Sequence, residues 1–339
     1  MNKRVFIEQL KEGDRVDDLF LVKAAKVGET RVGKPYLQLT VMDRSGEMSG
    51  PVWERVEALQ QIATPGAVVR LIAQVQSYRD KLQLRIEDIV AADDLPDEAL
   101  FLPAAPRRPA EMAEELQQLI KAVSNPHLRR LLNHFFSQGE MWQRFQQAPA
   151  AKGIHHAYLG GLLEHCLSMA KVAQFLSAHY PGVDRSLLMA GVLLHDIGKT
   201  AELTVTSGVV EYSDAGRLKG HLIIGCEMVA AAAAGIRDFP EDLLMQLQHL
   251  ILSHHGRLDF GSPVVPMTVE ALLLSFIDDI DAKMNITEQL RRKLAPEERG
   301  WSEYQRSLER FLYLGGLPRE AEARAERGVE PAGRQPTLF

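Results

Sequence analysis

The residues with chemical potential in this chain are histidines and aspartates. Seven of its eleven histidines, His155, His156, His165, His195, His221, His254 and His255, sit where their surroundings demand a reason. The segment SLLMAGVLLHDIGK, Ser186–Lys199, is apolar on every side, as a buried helix is, and carries His195-Asp196 near its end. A carboxylate there is costly unless cations and hydrogen-bond donors surround it. His165 shares a helical stripe with Met169, Val172 and Leu176. His221 opens the apolar run HLIIGCEMVAAAAAGI after Gly220, His254-His255 closes EDLLMQLQHLILSHH, and EALLLSFIDDIDAKM carries three aspartates. Each has a plain structural explanation by itself, such as a helix end meeting water or a satisfied core histidine. The five segments share no such explanation.

Neutral imidazole and carboxylate together suit borderline-hard divalent ions: Mn²⁺, Fe²⁺, Co²⁺, Zn²⁺ or Ni²⁺. Adjacent residues lie about 100° apart on a helix, so Asp196 could bridge two ions while His195 caps one. Two ions roughly 4 Å apart activate water and steady the charge on a phosphorus centre under in-line attack. Among the clustered aspartates, Asp278 shares a face with Leu274 and Ala271, the apolar side. Asp279 stands i,i+4 from Lys283, the pattern of a solvated face. Asp281 lies on the Asp278 side, where it could orient a histidine. His155-His156 either caps a helix or reaches a scissile phosphate as general acid; His156 is carried forward as a catalytic candidate. Cys166 and Cys226 read as small buried residues rather than ligands. The sequence holds neither a P-loop nor a G-x-S-x-G elbow.

The elements that must position these groups fall into two kinds. Residues 1–92 alternate apolar and polar side chains over Phe20–Val27, Tyr36–Asp43, Glu47–Trp53, Ala67–Tyr78 and Leu82–Val90, with a helix at Glu54–Ile62. Five strands with one helix between the third and fourth is the order of an OB-fold barrel. Its expected ligand loops carry Lys23, Lys26, Arg31 and Lys34 beside Tyr36, and Arg79, Lys81 and Arg85 beside Tyr78. Bases with an aromatic at both loops fit phosphate tracking and base stacking. Residues 93–110 hold four prolines and read as a linker packed on a domain, because Leu100, Phe101 and Leu102 need burial. Residues 111–314 have helical periodicity apart from a β excursion at Thr204–Tyr212, and 315–339 read as a charged, flexible tail. The fold class expected is α+β multidomain: a five-stranded OB-fold β-barrel followed by an all-α domain.

Composition agrees. Hydrophobic residues make up 46% and charged residues 25%, the balance of a globular protein. Two cysteines exclude a disulfide framework, and the N-terminus has no signal-peptide core. No apolar run is long enough to span a bilayer. A cytoplasmic protein without membrane attachment is expected. The net charge of −6 argues against a broadly basic nucleic-acid binder, but residues 1–92 carry 14 basic and 13 acidic side chains, so the acidic excess lies elsewhere.

The order His165, His195-Asp196, Asp278 resembles the H…HD…D signature of the HD-domain metal phosphohydrolases. By that resemblance, His165, His195, Asp196 and Asp278 hold a first ion. Asp196 bridges to a second held by His221, His254 and His255, and Lys199 of HDIGK contacts phosphate or supports a ligand. An N-terminal OB-fold before an HD domain is similar to the YhaM-type 3′-5′ exoribonucleases, a likeness carried by HHAYLGGLLEHCLSMAK, LLMAGVLLHDIGK, GRLKGH, LSHHGRLDFGSP and EALLLSFIDDIDAKM. It implies release of nucleoside 5′-monophosphates from the 3′ end of single-stranded RNA, with DNA a further substrate, using Mn²⁺ or Co²⁺. Two other classes stay open: an HD hydrolase of small or cyclic nucleotides with a regulatory barrel, and a non-catalytic single-strand binder. Homo-oligomers are compatible with either. Finally, Gln335-Pro336-Thr337-Leu338-Phe339 resembles the Q-x-x-L-F peptide that docks on the bacterial DNA sliding clamp.

Overall fold

The computed structural model describes residues 3–30, 32–78, 81–92, 100–102, 105, 107–151, 158–206, 209–293 and 300–315. The chain forms two compact units, residues 1–281 and 282–339.

The first unit begins with five antiparallel strands, β1 (Arg15–Glu29), β2 (Pro35–Asp43), β3 (Gly46–Val52), β4 (Val68–Tyr78) and β5 (Lys81–Ala91), in the order β3-β2-β1-β4-β5. Alternation drives them: Leu37, Leu39 and Val41 are buried in the core, while Gln38 and Thr40 between them are only half-buried. β1 starts five residues earlier than Phe20, where the apolar alternation begins. Its first part, Arg15–Leu21, pairs with β4, and Leu21–Glu29 pairs with β2, with a register shift between Val22 and Ala24 that lets one strand serve both partners. The acidic Asp17-Asp18 hid this extension from a hydrophobic pattern. Asp18 is buried, and its carboxylate accepts the backbone N–H groups of Arg4 at 2.7 Å and Val5 at 2.6 Å. The helix α1 (Val56–Ile62) lies between β3 and β4. β3 meets β5 at Gly50, where a Cβ would stand 1.9 Å from the Leu84 carbonyl oxygen, so only glycine allows this approach. The result is the expected OB-like barrel.

The segment after β5 packs on this barrel: Phe101 and Leu102 are buried with Leu19 and Leu21, and Leu159 packs against the same cluster. Lys3 is buried there too, donating to the Leu19 carbonyl at 2.8 Å, 3.1 Å from Asp43 and 3.7 Å above the Phe20 ring.

Helices follow: α2 (Pro109–Ala122), α3 (Pro126–Phe136), α4 (Glu140–Gln147), α5 (Gly161–His179), α6 (Arg185–Leu194) and α7 (Lys199–Glu202). The strands β6 (Leu203–Thr206) and β7 (Val209–Tyr212) form a hairpin where the β excursion was expected, and α8 (Asp214–Ala234), α9 (Glu241–Ser253) and α10 (Val269–Lys293) complete the set. Starts are marked by proline at the first helical position in α2 and α3. Asn125 and Asp184 accept backbone N–H groups at the starts of α3 and α6. α6 is buried at every position from Ser186 to Leu194, as an apolar-all-round helix must be. It stops at Leu194 rather than running to Lys199: residues 195–198 form a turn before α7.

In the second unit the helical periodicity read through Leu314 is not realised in residues 300–315. Trp301 pairs with Tyr313 and Gln305 with Arg310 in isolated bridges, with Leu308 and Leu314 buried. Glu309 takes a left-handed conformation (φ 53°), which turns the chain back on itself where a helix would have continued. Among the described residues no helix is long and apolar enough to cross a membrane.

Candidate metal centre

Five parts of the helical region converge. His165 comes from the first turns of α5, His195 and Asp196 from the turn after α6, His221 from α8, His254 and His255 from the end of α9, and Asp278 from α10. His195 and His254 arrive by the same device. Each is the residue that ends a helix, and each Nδ1 lies within hydrogen-bond distance of a carbonyl three residues back, Val192 at 2.9 Å and Ile251 at 2.7 Å. A helix's last carbonyls lack intrahelical donors, so an imidazole N–H fits them. With the proton on Nδ1, Nε2 is left as a ligand atom. His221 follows a break inside α8, where Gly220 has φ 73° and ψ 157°, a conformation glycine tolerates. Glu202 Oε1 accepts the His221 backbone N–H at 3.0 Å and lies 3.1 Å from its Nδ1. Asp281 stands 2.7 Å from His165 Nδ1 and accepts the Ser168 hydroxyl, and the Phe260 carbonyl stands 2.9 Å from His255 Nδ1. All five rings therefore have their Nδ1 engaged.

The Nε2 atoms of His165, His195, His221 and His254 lie around Asp196, whose side chain is buried. Its Oδ1 lies 3.4 Å from His221 and 3.6 Å from His254; its Oδ2 lies 3.3 Å from His195 and 4.0 Å from His165. Asp278 Oδ1 is 3.2 Å from His165 Nε2. Three overlapping trios each gather one ligand atom per residue within 4.8 Å: His165, His195 and Asp278; His195, Asp196 and His254; His221, His254 and His255. The Nε2 atoms of His195 and His221 and Oδ1 of Asp196 are buried without a hydrogen-bond partner among the described residues. Buried polar atoms left unsatisfied cost about 1–3 kcal/mol each, so several in one cluster mark a missing partner. A divalent cation matches this nitrogen and carboxylate donor set, and the residues fit it.

Protonation follows the same layout. Burial would raise the Asp196 carboxyl, but Lys199 and His195 beside it hold it well below the usual range. Burial likewise opposes charge on Lys199, and Asp196, accepting from its ammonium at 2.6 Å, raises its pKa instead. Burial would lower His165; Asp278 and Asp281 outweigh it and push the ring up to about 9. His254 and His255 are held low by burial, reinforced by neighbouring imidazoles, and are neutral at pH 7, the form that can accept a cation.

The cluster thus gathers His165, His195, Asp196, His221, His254, His255 and Asp278, with Lys199 against Asp196. Asp279 is exposed. Cys166 is buried, and burial pushes the Cys226 thiol up to about 12. Sequence reasoning missed Glu202 and Ser168, which carry no periodic signal. On the barrel, Lys23 and Lys26 belong to β1 rather than to the loop at residues 30–34, because β1 extends to Glu29. Lys23 is ion-paired with Glu47. Lys26 and Lys34 are exposed, Tyr36 packs against Trp53, and Tyr78 pairs across the strands with Lys81, both exposed. Arg85 donates to Gln74 at 3.1 Å and Glu87 at 3.2 Å. Arg31, Arg79, His155, His156 and Gln335–Phe339 lie outside the described residues.

Comparison with known proteins agrees with this geometry. The HD domain family matches residues 162–283, which contain all seven clustered residues. The barrel and this cluster define an HD-domain hydrolase with an OB-like N-terminal module, a class that binds divalent metal. The chain is 36% identical over 290 residues to a 3′-5′ exoribonuclease YhaM of Geobacillus sp. (strain WCH70), covering 84% of this chain and 88% of the relative. It is 35% identical over 302 residues to the 3′-5′ exoribonuclease YhaM of Bacillus subtilis (strain 168), covering 88% and 94%. The chain belongs to the YhaM 3′-5′ exoribonuclease family.

Proposed function

We propose that this protein is a metal-dependent 3′-5′ exoribonuclease that removes nucleoside 5′-monophosphates from single-stranded RNA, with two divalent ions, Mn²⁺ or Co²⁺, at the cluster. The observation that carries the two-ion reading is the division of Asp196, with Oδ1 toward His221 and His254 and Oδ2 toward His195 and His165. In this reading His165, His195 and Asp278 would hold one ion and His221, His254 and His255 the other, with Asp196 placed to serve both. Bound there, divalent ions supply Lewis-acid stabilisation of phosphate charge and a nucleophilic water at neutral pH. The chain's own residues fix the donors. Glu202, Asp281 and three carbonyls hold the rings, and the burial of the cluster strengthens every charge interaction within it. Lys199 keeps its proton on Nζ and offsets the negative charge of Asp196. His156 is the proposed proton donor to the leaving oxygen.

Polarity and substrate follow from the family. Incubating 5′-labelled and 3′-labelled single-stranded RNA with the protein and Mn²⁺ tests both: the 3′ label should leave at once as a mononucleotide, and the 5′ strand should shorten stepwise. Endonucleolytic fragments, or release of the 5′ label first, would refute the reading. The same assay on single-stranded DNA tests the wider substrate range. Docking of Gln335–Phe339 on the DNA sliding clamp is a separate proposal, tested by titrating the clamp with that peptide beside its Leu338→Ala, Phe339→Ala control.

A further inference from the structure

The turn after His255 is the part of LSHHGRLDFGSP that the histidine and aspartate cluster leaves unexplained. Gly256 (φ 79°) and Gly261 (φ 94°) take left-handed conformations at its two ends, where glycine meets no steric penalty. Between them the backbone closes on itself. The Arg257 carbonyl accepts the N–H groups of Phe260 at 3.1 Å and Ser262 at 3.3 Å, and the Leu258 carbonyl accepts that of Gly261 at 2.9 Å. The turn is fastened to the cluster through His255, whose Nδ1 lies 2.9 Å from the Phe260 carbonyl. The His255 ring in turn has its centroid 4.4 Å from that of His254 and 5.2 Å from that of His221.

A turn tied down in this way presents its side chains from a fixed backbone. Phe260 and Leu258 are each 61% exposed, although phenylalanine and leucine are among the residues most often buried. The Arg257 guanidinium lies 5.7 Å from the centroid of the Phe260 ring and has no carboxylate partner among the described residues. An exposed ring beside an unpaired guanidinium suits a ligand that joins a flat π-system to an anion. The position narrows the choice. One imidazole, that of His255, stands between the Phe260 backbone and the His221, His254 and His255 trio. In a nucleotide, one ribose stands between the base and the phosphate, so a phosphate at the cluster leaves its base within reach of this turn.

We infer that this turn is the subsite for the base of the nucleotide being removed: Phe260 stacks on the 3′-terminal base, and Arg257 binds a phosphate further along the strand. The ligand class rests on the exoribonuclease reading; the turn and its attachment to His255 do not. Stacking is indifferent to base identity, so such a subsite serves every nucleotide of a strand in succession.

The test is calorimetric binding to the full chain with Mn²⁺, using adenosine 5′-monophosphate and ribose 5-phosphate, which keeps the phosphate and lacks the base. Phe260→Ala should weaken the mononucleotide about tenfold, the scale of one stacked base, and leave ribose 5-phosphate as in the wild type. Phe260→Tyr keeps a ring and should restore the mononucleotide. Arg257→Gln should weaken a short single-stranded RNA, titrated in EDTA to prevent hydrolysis, and flatten its salt slope by about 0.7. Unchanged mononucleotide affinity in Phe260→Ala, equal weakening of both ligands, no recovery in Phe260→Tyr, or an unchanged salt slope in Arg257→Gln would overturn the inference. Val265 and Met267 beyond the turn are also exposed, so the same variants are sedimented. Self-association that Phe260→Ala abolishes while mononucleotide binding stays unchanged would make the turn a contact between copies, and would overturn the inference too. Failure of the exoribonuclease reading would show differently, as no RNA hydrolysis with Mn²⁺ while the base-dependent difference in binding persists.

Discussion

Glu202 holds His221 at two points, accepting its backbone N–H at 3.0 Å and standing 3.1 Å from its Nδ1. The carboxylate is buried, and burial would raise its pKa, but the His221 contact keeps it lowered. It therefore fixes both the position of the residue after the α8 break and the ring nitrogen left for a ligand. Glu202→Gln keeps the shape but replaces one acceptor oxygen with a donor. It should lower the affinity for one ion by about 10–100-fold while the other ion binds as before. Metal titration followed by elemental analysis reads this, and a variant that binds both ions like the wild type would show Glu202 to be incidental.

Lys199 approaches Asp196 Oδ2 at 2.6 Å, against a buried carboxylate. Lys199→Met removes the cation without removing a ligand. RNA hydrolysis should fall at least about tenfold in kcat, since a charged partner of a buried carboxylate is worth about 1.5–3 kcal/mol. Steady-state kinetics with a short RNA decides it, and an unchanged kcat would leave Lys199 with a structural role alone.

Barrel closure is tested at Gly50, where an added Cβ would meet the Leu84 backbone at 1.9 Å. Gly50→Ala should destabilise the protein by about 1–3 kcal/mol, the usual scale for overpacking. Urea denaturation followed by circular dichroism gives the value. Wild-type stability would mean that β3 and β5 can separate freely.

Cys226 gives a pH-dependent signature away from the ligands. Burial raises its thiol to about 12, and Sγ lies 3.7 Å from the Gln248 carbonyl. A folded pKa above the unfolded one means that this thiol stabilises the fold fully below about 8.5 and that the contribution fades as pH rises toward 12. Alkylation of Cys226 by iodoacetamide at pH 8 should accordingly be on the order of 100-fold slower in the native protein than in urea. Peptide mass mapping distinguishes the two cysteines, and equal rates would contradict the burial.

Much of the histidine and aspartate cluster was legible in the sequence because its residues interrupt apolar helices, where a polar side chain needs a reason. Helical phase separated Asp278 from the exposed Asp279 for the same cause. The supporting groups were less visible. Glu202 ends a four-residue helix too short for periodicity, and the break at Gly220 that brings His221 beside it depends on a backbone angle no composition reveals. The start of β1 hid behind Asp17 and Asp18, because the buried Asp18 is satisfied by backbone N–H groups from the N-terminal segment, far away in sequence.

The central claim is that Asp196 lies between two divalent ions. The direct measurement is Mn²⁺ bound per chain, by elemental analysis, together with electron paramagnetic resonance of the loaded protein. Two Mn²⁺ per chain with an exchange-coupled spectrum are expected in the wild type, and Asp196→Asn, still folded by circular dichroism, should lose both the coupling and RNA hydrolysis. A fully active protein holding one magnetically isolated Mn²⁺ per chain would contradict the account.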